Sequence, residues 1–275
     1  MATATINSAR LFYDERGSGE PLLFQHGYTG FHEEWEGVVS RLAGRYRCIV
    51  MDARGAGDSE HTADGYTIEQ YARDVVGMAD HLGLGRFTYI GHSMGGLIGM
   101  QLAVTHPERL ERLVLVAPAP SGGLHSPQAD QYHTLKADRR KRGAVDEALE
   151  EQLATAAREQ PADVLRTRIE RNFAVSDGHH EGSWTSMQGI DLSARLGEIA
   201  IPTLMMAGAA DSLLAANLED FGRLRNATLH VFSRVGHGLP YEIPEEFTAV
   251  LADFLEHGVV TAATLQRKLL ASAGA

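Results

Sequence analysis

The stretch Phe87-Thr-Tyr-Ile-Gly-His-Ser-Met-Gly-Gly-Leu97 decides the fold of this chain, because it places a serine in a sharp turn between a strand and a helix. The apolar run Phe87–Ile90 predicts a buried strand, and helical spacing begins at Leu97. No Lys follows Gly96, as a phosphate-binding P-loop would require, and no G-x-G-x-x-G dinucleotide turn is present here. The order of strand, turn and helix around Ser93 therefore predicts the G-x-S-x-G nucleophile elbow.

The glycines around Ser93 explain why this turn can form. Gly91 and Gly95 each lie two residues from the serine, where side chains would collide if the chain bends this tightly. The bend predicts a strained serine with an exposed hydroxyl group. It also leaves the amide of Met94 at a helix N-terminus, where it can face a negatively charged oxygen.

Outward from the elbow, short apolar runs alternate with stretches of helical spacing. Near-continuous hydrophobic strands of this kind are typical of a sheet covered on both faces. The pattern predicts an α/β fold with a mostly parallel central sheet and helices on both faces. The predicted strands are Leu22–Gln25, Cys48–Met51, Phe87–Ile90, Leu113–Val116, Ile201–Met206 and Thr228–Phe232.

The composition changes after Pro120. From residue 121 to residue 196 the chain is rich in Glu, Arg, Gln, Ala and His, with helical spacing and no strand pattern. We interpret 121–196 as a helical cap inserted into a core domain made of 1–120 and 197–275. The tail after Gly258, with Leu265, Leu269 and Leu270, predicts a short extra helix packed on the surface.

Charge and composition limit the classes of partner and compartment. The 275 residues include 25 basic and 36 acidic side chains, a net charge of −11, and basic residues cluster only at Arg139–Arg142. Nucleic acid is therefore excluded as an expected partner, because phosphate binding needs a clustered basic face. Cys48 is the single cysteine, so no internal disulfide can form. No export signal or membrane-spanning stretch is recognisable, which predicts a cytoplasmic protein without membrane contact.

Four sequence blocks carry a family resemblance. They are Gln25–Tyr28 (Gln-His-Gly-Tyr), Asp52–Ser59, Gly91–Gly96 and Gly236–Gly238 (Gly-His-Gly). Through these blocks nearly the whole chain resembles the α/β-hydrolase superfamily, in particular its lid-bearing serine esterases, lactonases and non-haem haloperoxidase-like members. The resemblance implies a cap inserted after the sixth strand and a Ser-His-Asp catalytic triad without a cofactor.

A serine hydroxyl needs a base to take its proton, and that base needs a carboxylate to hold its orientation. Ser93 is the predicted nucleophile, and His237 matches the histidine position of the family. The resemblance places the acid after Ile201–Met206, at Asp211, because residues 117–123 after the other candidate strand contain no carboxylate. Glu219 and Asp220 are the alternative acids.

The resemblance also predicts an oxyanion hole, formed by the backbone amides of Tyr28 and Met94. His26 is expected to brace the loop that carries Tyr28. The pair His179-His180 is expected to be exposed in a Ser-Asp-Gly loop, and no spacing typical of a metal site is present, so no metal is predicted.

Substrate selection is expected to come from the cap. The residues predicted to line the pocket are Leu124, Tyr132, Trp184 and Met187. A largely apolar, covered pocket favours a small or medium carboxylic ester or a lactone as the small-molecule substrate of a monomer or homodimer. A carbon–carbon bond hydrolase or a perhydrolase could use the same triad. A small-molecule receptor with a slow residual triad is the alternative from another class of protein, and repeated turnover would distinguish it from an enzyme.

Overall fold

A computed structural model of the chain describes residues 1–262, 264–266 and 269, and a single mixed sheet lies at its centre. The sheet order is β1-β2-β4-β3-β5-β6-β7-β8. Strands β1, β2 and β4 pair antiparallel, and every other pairing is parallel. The strands are β1 (Ala2–Ile6), β2 (Ala9–Arg16), β3 (Pro21–Gln25), β4 (Arg47–Met51), β5 (Phe87–His92), β6 (Leu110–Val116), β7 (Thr203–Gly208) and β8 (Ala227–Phe232).

Helices cover both faces of this sheet. Successive strand residues point to opposite faces, so Leu23 packs with Tyr71 on one side while Leu22 packs with Val38 on the other. The predicted fold class, α/β with a mostly parallel sheet, is confirmed. The helices are α1 (Glu36–Leu42), α2 (Ile68–His81), α3 (Met94–Thr105), α4 (Pro127–Arg142), α5 (Val145–Thr155), α6 (Ala162–Phe173), α7 (Asp177–Gly189), α8 (Leu214–Arg223), α9 (Leu239–Glu242) and α10 (Pro244–His257).

The segment 121–196, described in full, contains helices α4 to α7 and no strand, and it lies between β6 and β7. Local caps explain where these helices begin. The Ser126 hydroxyl accepts from the amide of Ala129 at the start of α4, and the Ser176 hydroxyl accepts from the amide of His179 at the start of α7. Helices α5 and α6 share a small apolar cluster of their own, formed by Ala148, Leu149, Leu165 and Ile169. We call 121–196 the helical insertion.

The basic run of the sequence lies at the end of one helix of the insertion. The basic run Arg139–Arg142 forms the last turn of α4, where positive charge opposes the negative end of the helix dipole. Arg139 pairs with Glu151, Arg140 with Asp177, and Arg142 with Asp138 and Glu147, so three of the four cations have acidic partners within the insertion.

The C-terminal tail is helical in the residues that the structure describes. Residues 262, 264–266 and 269 are helical, as expected, with Leu265 and Leu269 exposed, whereas Leu270 lies outside the described residues. Among the described helices, none has the length and apolar character needed to cross a bilayer.

Candidate active site

Ser93 occupies the turn between β5 and α3 in a backbone conformation that L-residues rarely adopt. Its φ is 54° and its ψ is −114°, and such strain is typical of functional positions. A Cβ at Gly91 would lie 2.1 Å from the carbonyl oxygen of Gly95, so a side chain at position 91 is excluded by the tight bend. The amide of Ser93 donates to the carbonyl of Val116 at 2.9 Å, which anchors the turn to the neighbouring strand β6.

Asp211 and His237 meet in the loops that follow β7 and β8. The Nδ1 atom of His237 lies 2.8 Å from Oδ2 of Asp211. The carboxylate side chain is only 2% exposed, whereas the imidazole is 38% exposed, so the pair is open to solvent on the histidine side. Burial alone would raise the pKa of Asp211, but the hydrogen bonds from His237 and the amide of Leu213 bring that pKa below its ordinary value.

His92 connects this pair to the elbow. Its ring lies 4.8 Å from the ring of His237, and its Nε2 lies 2.8 Å from the His237 carbonyl oxygen. Burial, reinforced by the neighbouring His237, lowers the pKa of His92 to about 3, so His92 is neutral and donates this hydrogen bond. His237 is thereby held beside the residue that precedes Ser93.

The Ser93 hydroxyl makes no hydrogen bond with His237 in this structure, although both residues are among those described. Ser93 itself is half-buried. Hydrogen bonds of this kind are often long in unliganded enzymes and shorten when the substrate binds. The arrangement therefore has a serine, an imidazole and a carboxylate in adjoining loops. The imidazole and the carboxylate are hydrogen-bonded, and the serine and the imidazole are not.

The loop after β3 lies directly against the elbow. A Cβ at Gly27 would lie 3.0 Å from the Cβ of Ser93, and a Cβ at Gly95 would lie 2.5 Å from the carbonyl oxygen of Gln25. The amides of Tyr28 and Met94 have no hydrogen-bond acceptor among the described residues. Both donors are therefore unused beside the serine.

His26 braces that loop, as the sequence predicts. Its Nδ1 lies 2.7 Å from the carbonyl oxygen of Gly27, and its Nε2 accepts from the amide of Ala53 at 3.0 Å. Because it is completely buried and occupied on both ring nitrogens, His26 is a structural residue.

The alternative acids lie away from His237. Asp220 is buried and accepts hydrogen bonds from the amide and hydroxyl of Ser121, while Glu219 is exposed on α8. Neither is in contact with the imidazole, and Asp211 is the carboxylate that is.

Two acids near the site were missed by the sequence analysis. Glu242 accepts hydrogen bonds from the amides of Gly236 and Gly238, both at 3.1 Å, and so holds the loop on either side of His237. Glu34 folds back against the loop after β3, where a Cβ at Gly30 would lie 2.6 Å from its Oε2. An acid four residues after a Gly-His-Gly run is the only local signal that points to Glu242.

Cationic side chains of the insertion also contact aromatic rings in this region. The Arg168 guanidinium lies 3.5 Å from the centre of the Tyr241 ring, and the Tyr241 ring in turn lies 6.4 Å from the ring of His92. Lys136 lies over the ring of Tyr28 at 5.3 Å. These contacts place two cations of the insertion against aromatic rings of the core.

The four residues predicted to line the pocket occupy different environments. Trp184 and Met187 are buried in the main core, and Trp184 lies 5.7 Å from the ring of Tyr28. The amide of Leu124 donates to the carbonyl of Met187 at 3.1 Å. Tyr132 is exposed, with its ring 6.3 Å from Trp184. All four belong to the helical insertion.

The prediction that His179 and His180 are exposed in a loop is wrong. Both lie in helix α7, and both are completely buried. Ser176 begins this helix as its N-cap, which converts the expected Ser-Asp-Gly loop into a first helical turn. Burial lowers the pKa of His179 to about 3 and that of His180 to about 4, so both imidazoles are neutral.

Comparisons with known proteins agree with this fold. The family described as "alpha/beta hydrolase fold" matches residues 20–244. A 2-hydroxy-6-oxononadienedioate/2-hydroxy-6-oxononatrienedioate hydrolase of Paraburkholderia xenovorans is 30% identical over 271 residues, covering 90% of this chain and 91% of that protein.

Solved structures give the same result. A thermophilic esterase from Thermogutta terrifontis is 25% identical, covers 93% of this chain and 97% of its own, and has a TM-score of 0.80. Est816, described as an N-acyl homoserine lactone degrading enzyme, is 27% identical, with 92% of this chain and 100% of its own covered and a TM-score of 0.78.

The fold and the site thus define a hydrolase built on a doubly covered α/β sheet. The chain belongs to the α/β-hydrolase fold family.

Proposed function

We propose that this protein is a serine hydrolase that cleaves a small or medium carboxylic ester or a lactone through the triad Ser93, His237 and Asp211. The observation that carries the proposal is the strained Ser93 in a strand-turn-helix elbow, next to a histidine whose Nδ1 lies 2.8 Å from a buried carboxylate. A serine becomes a useful nucleophile only with such a base and orienting acid.

The mechanism follows from these positions. His237 removes the Ser93 proton as the hydroxyl oxygen attacks the carbonyl carbon, and the tetrahedral oxyanion accepts hydrogen bonds from the free amides of Tyr28 and Met94. His237 then protonates the leaving alcohol, which gives an acyl-enzyme. Water attacks this ester in a second cycle with His237 again as base, releasing the acid and restoring the serine.

In this proposal the helical insertion 121–196 is the lid of a core domain formed by 1–120 and 197–275. Its pocket-facing candidates are Leu124, Tyr132, Trp184 and Met187. An N-acyl homoserine lactone degrading enzyme and an esterase among the similar structures support the ester or lactone class. The short distance between the Tyr28 and Trp184 rings supports an apolar wall for the acyl group.

Cleavage of a carbon–carbon bond next to a carbonyl group is the second candidate. It is supported by the relative named as a hydrolase of a ring-fission dioate. The cations Lys136 and Arg168 favour it as well, since neither makes a salt bridge with any described acid and a carboxylate-bearing substrate would supply one.

A fluorophosphonate probe tests the class of enzyme. We expect one adduct on Ser93 by mass spectrometry, with labelling unchanged in Ser40→Ala, which removes an exposed hydroxyl on α1, and absent in Ser93→Ala. Hydrolysis of short nitrophenyl esters and lactones should fall by at least about 10³-fold in Ser93→Ala. A label on another residue, or esterase activity that survives Ser93→Ala, would overturn the mechanism.

Turnover distinguishes the remaining alternatives. Repeated release of product from an ester or lactone supports the enzyme, whereas a single stoichiometric binding event supports a receptor with a slow triad. If esters and lactones fail while a vinylogous 1,5-diketo acid is cleaved, the carbon–carbon hydrolase is the correct assignment. Peracid formed from an ester and hydrogen peroxide would assign the perhydrolase.

A further inference from the structure

The turn after β3 is bonded to the core at its start and to the helical insertion in its middle. The amide of Gly30 closes this turn by donating to the carbonyl oxygen of Gly27 at 3.0 Å. His26, in the core, contacts the same carbonyl oxygen through Nδ1. In contrast, every hydrogen bond that the structure describes for Tyr28 and Thr29 joins them to the insertion. The middle of the turn thus depends on the insertion for its polar contacts.

Two short hydrogen bonds join this turn to helices α6 and α7. The Nδ2 atom of Asn172, on α6, donates to the carbonyl oxygen of Thr29 at 2.7 Å. The Tyr28 hydroxyl donates to the carbonyl oxygen of His180, on α7, at 2.8 Å. The first bond holds the main chain of the turn, and the second holds the side chain of the residue whose amide is a proposed oxyanion donor.

His179 adds a third bond to the same turn. Its Nε2 atom accepts from the amide of Thr29 at 3.4 Å, the longest of the three bonds. Because burial lowers the pKa of His179 to about 3, the imidazole is neutral and carries one proton. Its Nδ1 lies 3.0 Å from the carbonyl oxygen of Arg54, which can only accept, so that proton is on Nδ1 and Nε2 can accept. The ring also lies nearly parallel to that of Tyr28, with centres 6.2 Å apart and planes 12° apart.

Thr29 has a backbone conformation that needs support from its surroundings. Its φ is 58°, in the left-handed region that β-branched residues rarely adopt. The residue is completely buried, and its Oγ1 has no hydrogen-bond partner among the described residues. A strained residue of this kind persists only where the surrounding structure fixes it. The bonds from Asn172 and His179 to the carbonyl and amide groups of Thr29 supply this constraint.

We propose that Asn172 and His179 are positioning residues for the oxyanion hole. By fixing the backbone of Thr29, they keep the preceding amide, that of Tyr28, beside Ser93. That amide has no acceptor among the described residues, so it is available to an oxyanion. The inference rests on the proposed function and adds to it a second role for the insertion. With the insertion displaced, the serine and its base would remain, but one oxyanion donor would be misplaced.

Steady-state kinetics of Asn172→Ala and Asn172→Asp on a nitrophenyl ester test this role. Asn172 is half-buried and neither change adds bulk, so both variants should fold. The ionised aspartate has the same size but no proton to donate. We expect kcat to fall at least about tenfold in both variants, with KM within twofold of the native value, because the lost stabilisation belongs to the transition state.

Asn226→Ala is the matched control for the loss of an asparagine bond to the main chain. The Nδ2 atom of Asn226 donates to the carbonyl oxygen of Ala200 at 2.9 Å. Asn226 precedes β8, at the opposite end of that strand from the loop of His237. Its replacement should leave kcat and KM unchanged.

A tetrahedral transition-state analogue separates positioning from general stability. A trifluoromethyl ketone forms a serine adduct whose oxyanion occupies the same hole, so its inhibition constant should rise in Asn172→Ala by about the factor by which kcat/KM falls. Thr29→Gly should restore part of the lost kcat in the Asn172→Ala background, because glycine adopts a φ near 58° without strain. A variant whose only defect is lower stability would show neither effect.

The outcomes distinguish this inference from the proposed function. If a fluorophosphonate does not label Ser93 of the native protein, the proposed function itself fails. If Ser93 is labelled while Asn172→Ala keeps the native kcat/KM and analogue affinity, only the positioning role is overturned. A rise in KM alone, or a loss of kcat that Thr29→Gly does not relieve, would also overturn it.

Discussion

Glu34 is a carboxylic acid in an unusual setting beside the loop after β3. Burial raises its pKa to about 7, and the cations Arg168 and Lys136 only partly oppose this effect. Neither cation is close enough to form a salt bridge with it in the described structure. Glu34 is therefore protonated in the folded protein over a pH range in which it is charged in the unfolded chain.

This raised pKa predicts a loss of stability with rising pH. An ordinary Glu releases its proton near pH 4.5, so between about pH 4.5 and pH 7 the folded state binds more protons than the unfolded state. The stabilising contribution of Glu34 is complete below this window and lost as the pH approaches 7. In Glu34→Gln, the free energy of unfolding relative to the native protein should rise by roughly 2 kcal/mol between pH 5 and pH 8.

Urea unfolding at the two pH values measures this difference. Glu150→Gln, which changes an exposed acid on α5, is the matched control and should show no such trend. If the Glu34→Gln difference is the same at pH 5 and pH 8, Glu34 is not protonated in the folded state.

Residues near the site differ in how far the sequence predicts their positions. Ser93 was predicted from the glycines and the strand beside it, whereas Asp211 and His237 were predicted from the resemblance to the α/β-hydrolase superfamily. Glu34 and Arg168 have no such pattern, since the insertion and the loop after β3 meet only in the folded chain. His180 was misjudged for the same reason: its partners His133 and Tyr28 are 47 and 152 residues away.

At the scale of elements, the loop between β8 and α9 holds His237 through one carboxylate. Glu242 accepts from the amides of Gly236 and Gly238, which lie on either side of the histidine. The carboxylate has two acceptor oxygens for two donors, whereas an amide side chain has one acceptor oxygen and an NH₂ group that can only donate. In the proposed mechanism Glu242 is thus a positioning residue that acts through His237.

Glu242→Gln should therefore lower kcat by about 10–100-fold, because a displacement of the base by a fraction of an ångström is costly in catalysis. KM should change little, since no substrate contact is removed. Steady-state kinetics on a nitrophenyl ester measure both values. The control is Glu245→Gln, which changes an exposed side chain on α10. If kcat falls equally in Glu242→Gln and Glu245→Gln, the contacts of Glu242 with the loop around His237 do not account for the loss.

Element boundaries were predictable where a local signal sets them. Helix α10 spans Pro244–His257 and begins at a proline, a residue favoured in the first turn of a helix. Strands β1 and β2 were missed because they form the antiparallel edge of the sheet, where one-sided burial replaces the continuous apolar runs of the central strands. Their pairing, with Ala4 opposite Leu11, depends on contacts between strands, which the sequence of one strand does not predict.

On the scale of the whole molecule, Arg171 of α6 joins the insertion to the core. Its guanidinium group donates to Glu33 at 2.9 Å, in the short 3-10 helix His32–Trp35, and to Asp58 at 3.0 Å, in the loop after β4. The next residue, Asn172, donates from Nδ2 to the carbonyl oxygen of Thr29 at 2.7 Å, directly beside Tyr28. These contacts hold α6 over the loop that carries a proposed oxyanion donor.

Arg171→Gln should loosen this attachment without unfolding the protein. The ion pairs are partly exposed, so their loss should lower the free energy of unfolding by no more than about 1 kcal/mol. Local opening of α6 should nevertheless become more frequent, and its amides should exchange hydrogen several-fold faster. Arg166→Gln is the matched control, because Arg166 lies on the same helix but pairs with Asp146 inside the insertion. Hydrogen exchange by mass spectrometry compares the two variants, and equal exchange in α6 would show that the ion pairs to the core do not hold the insertion in place.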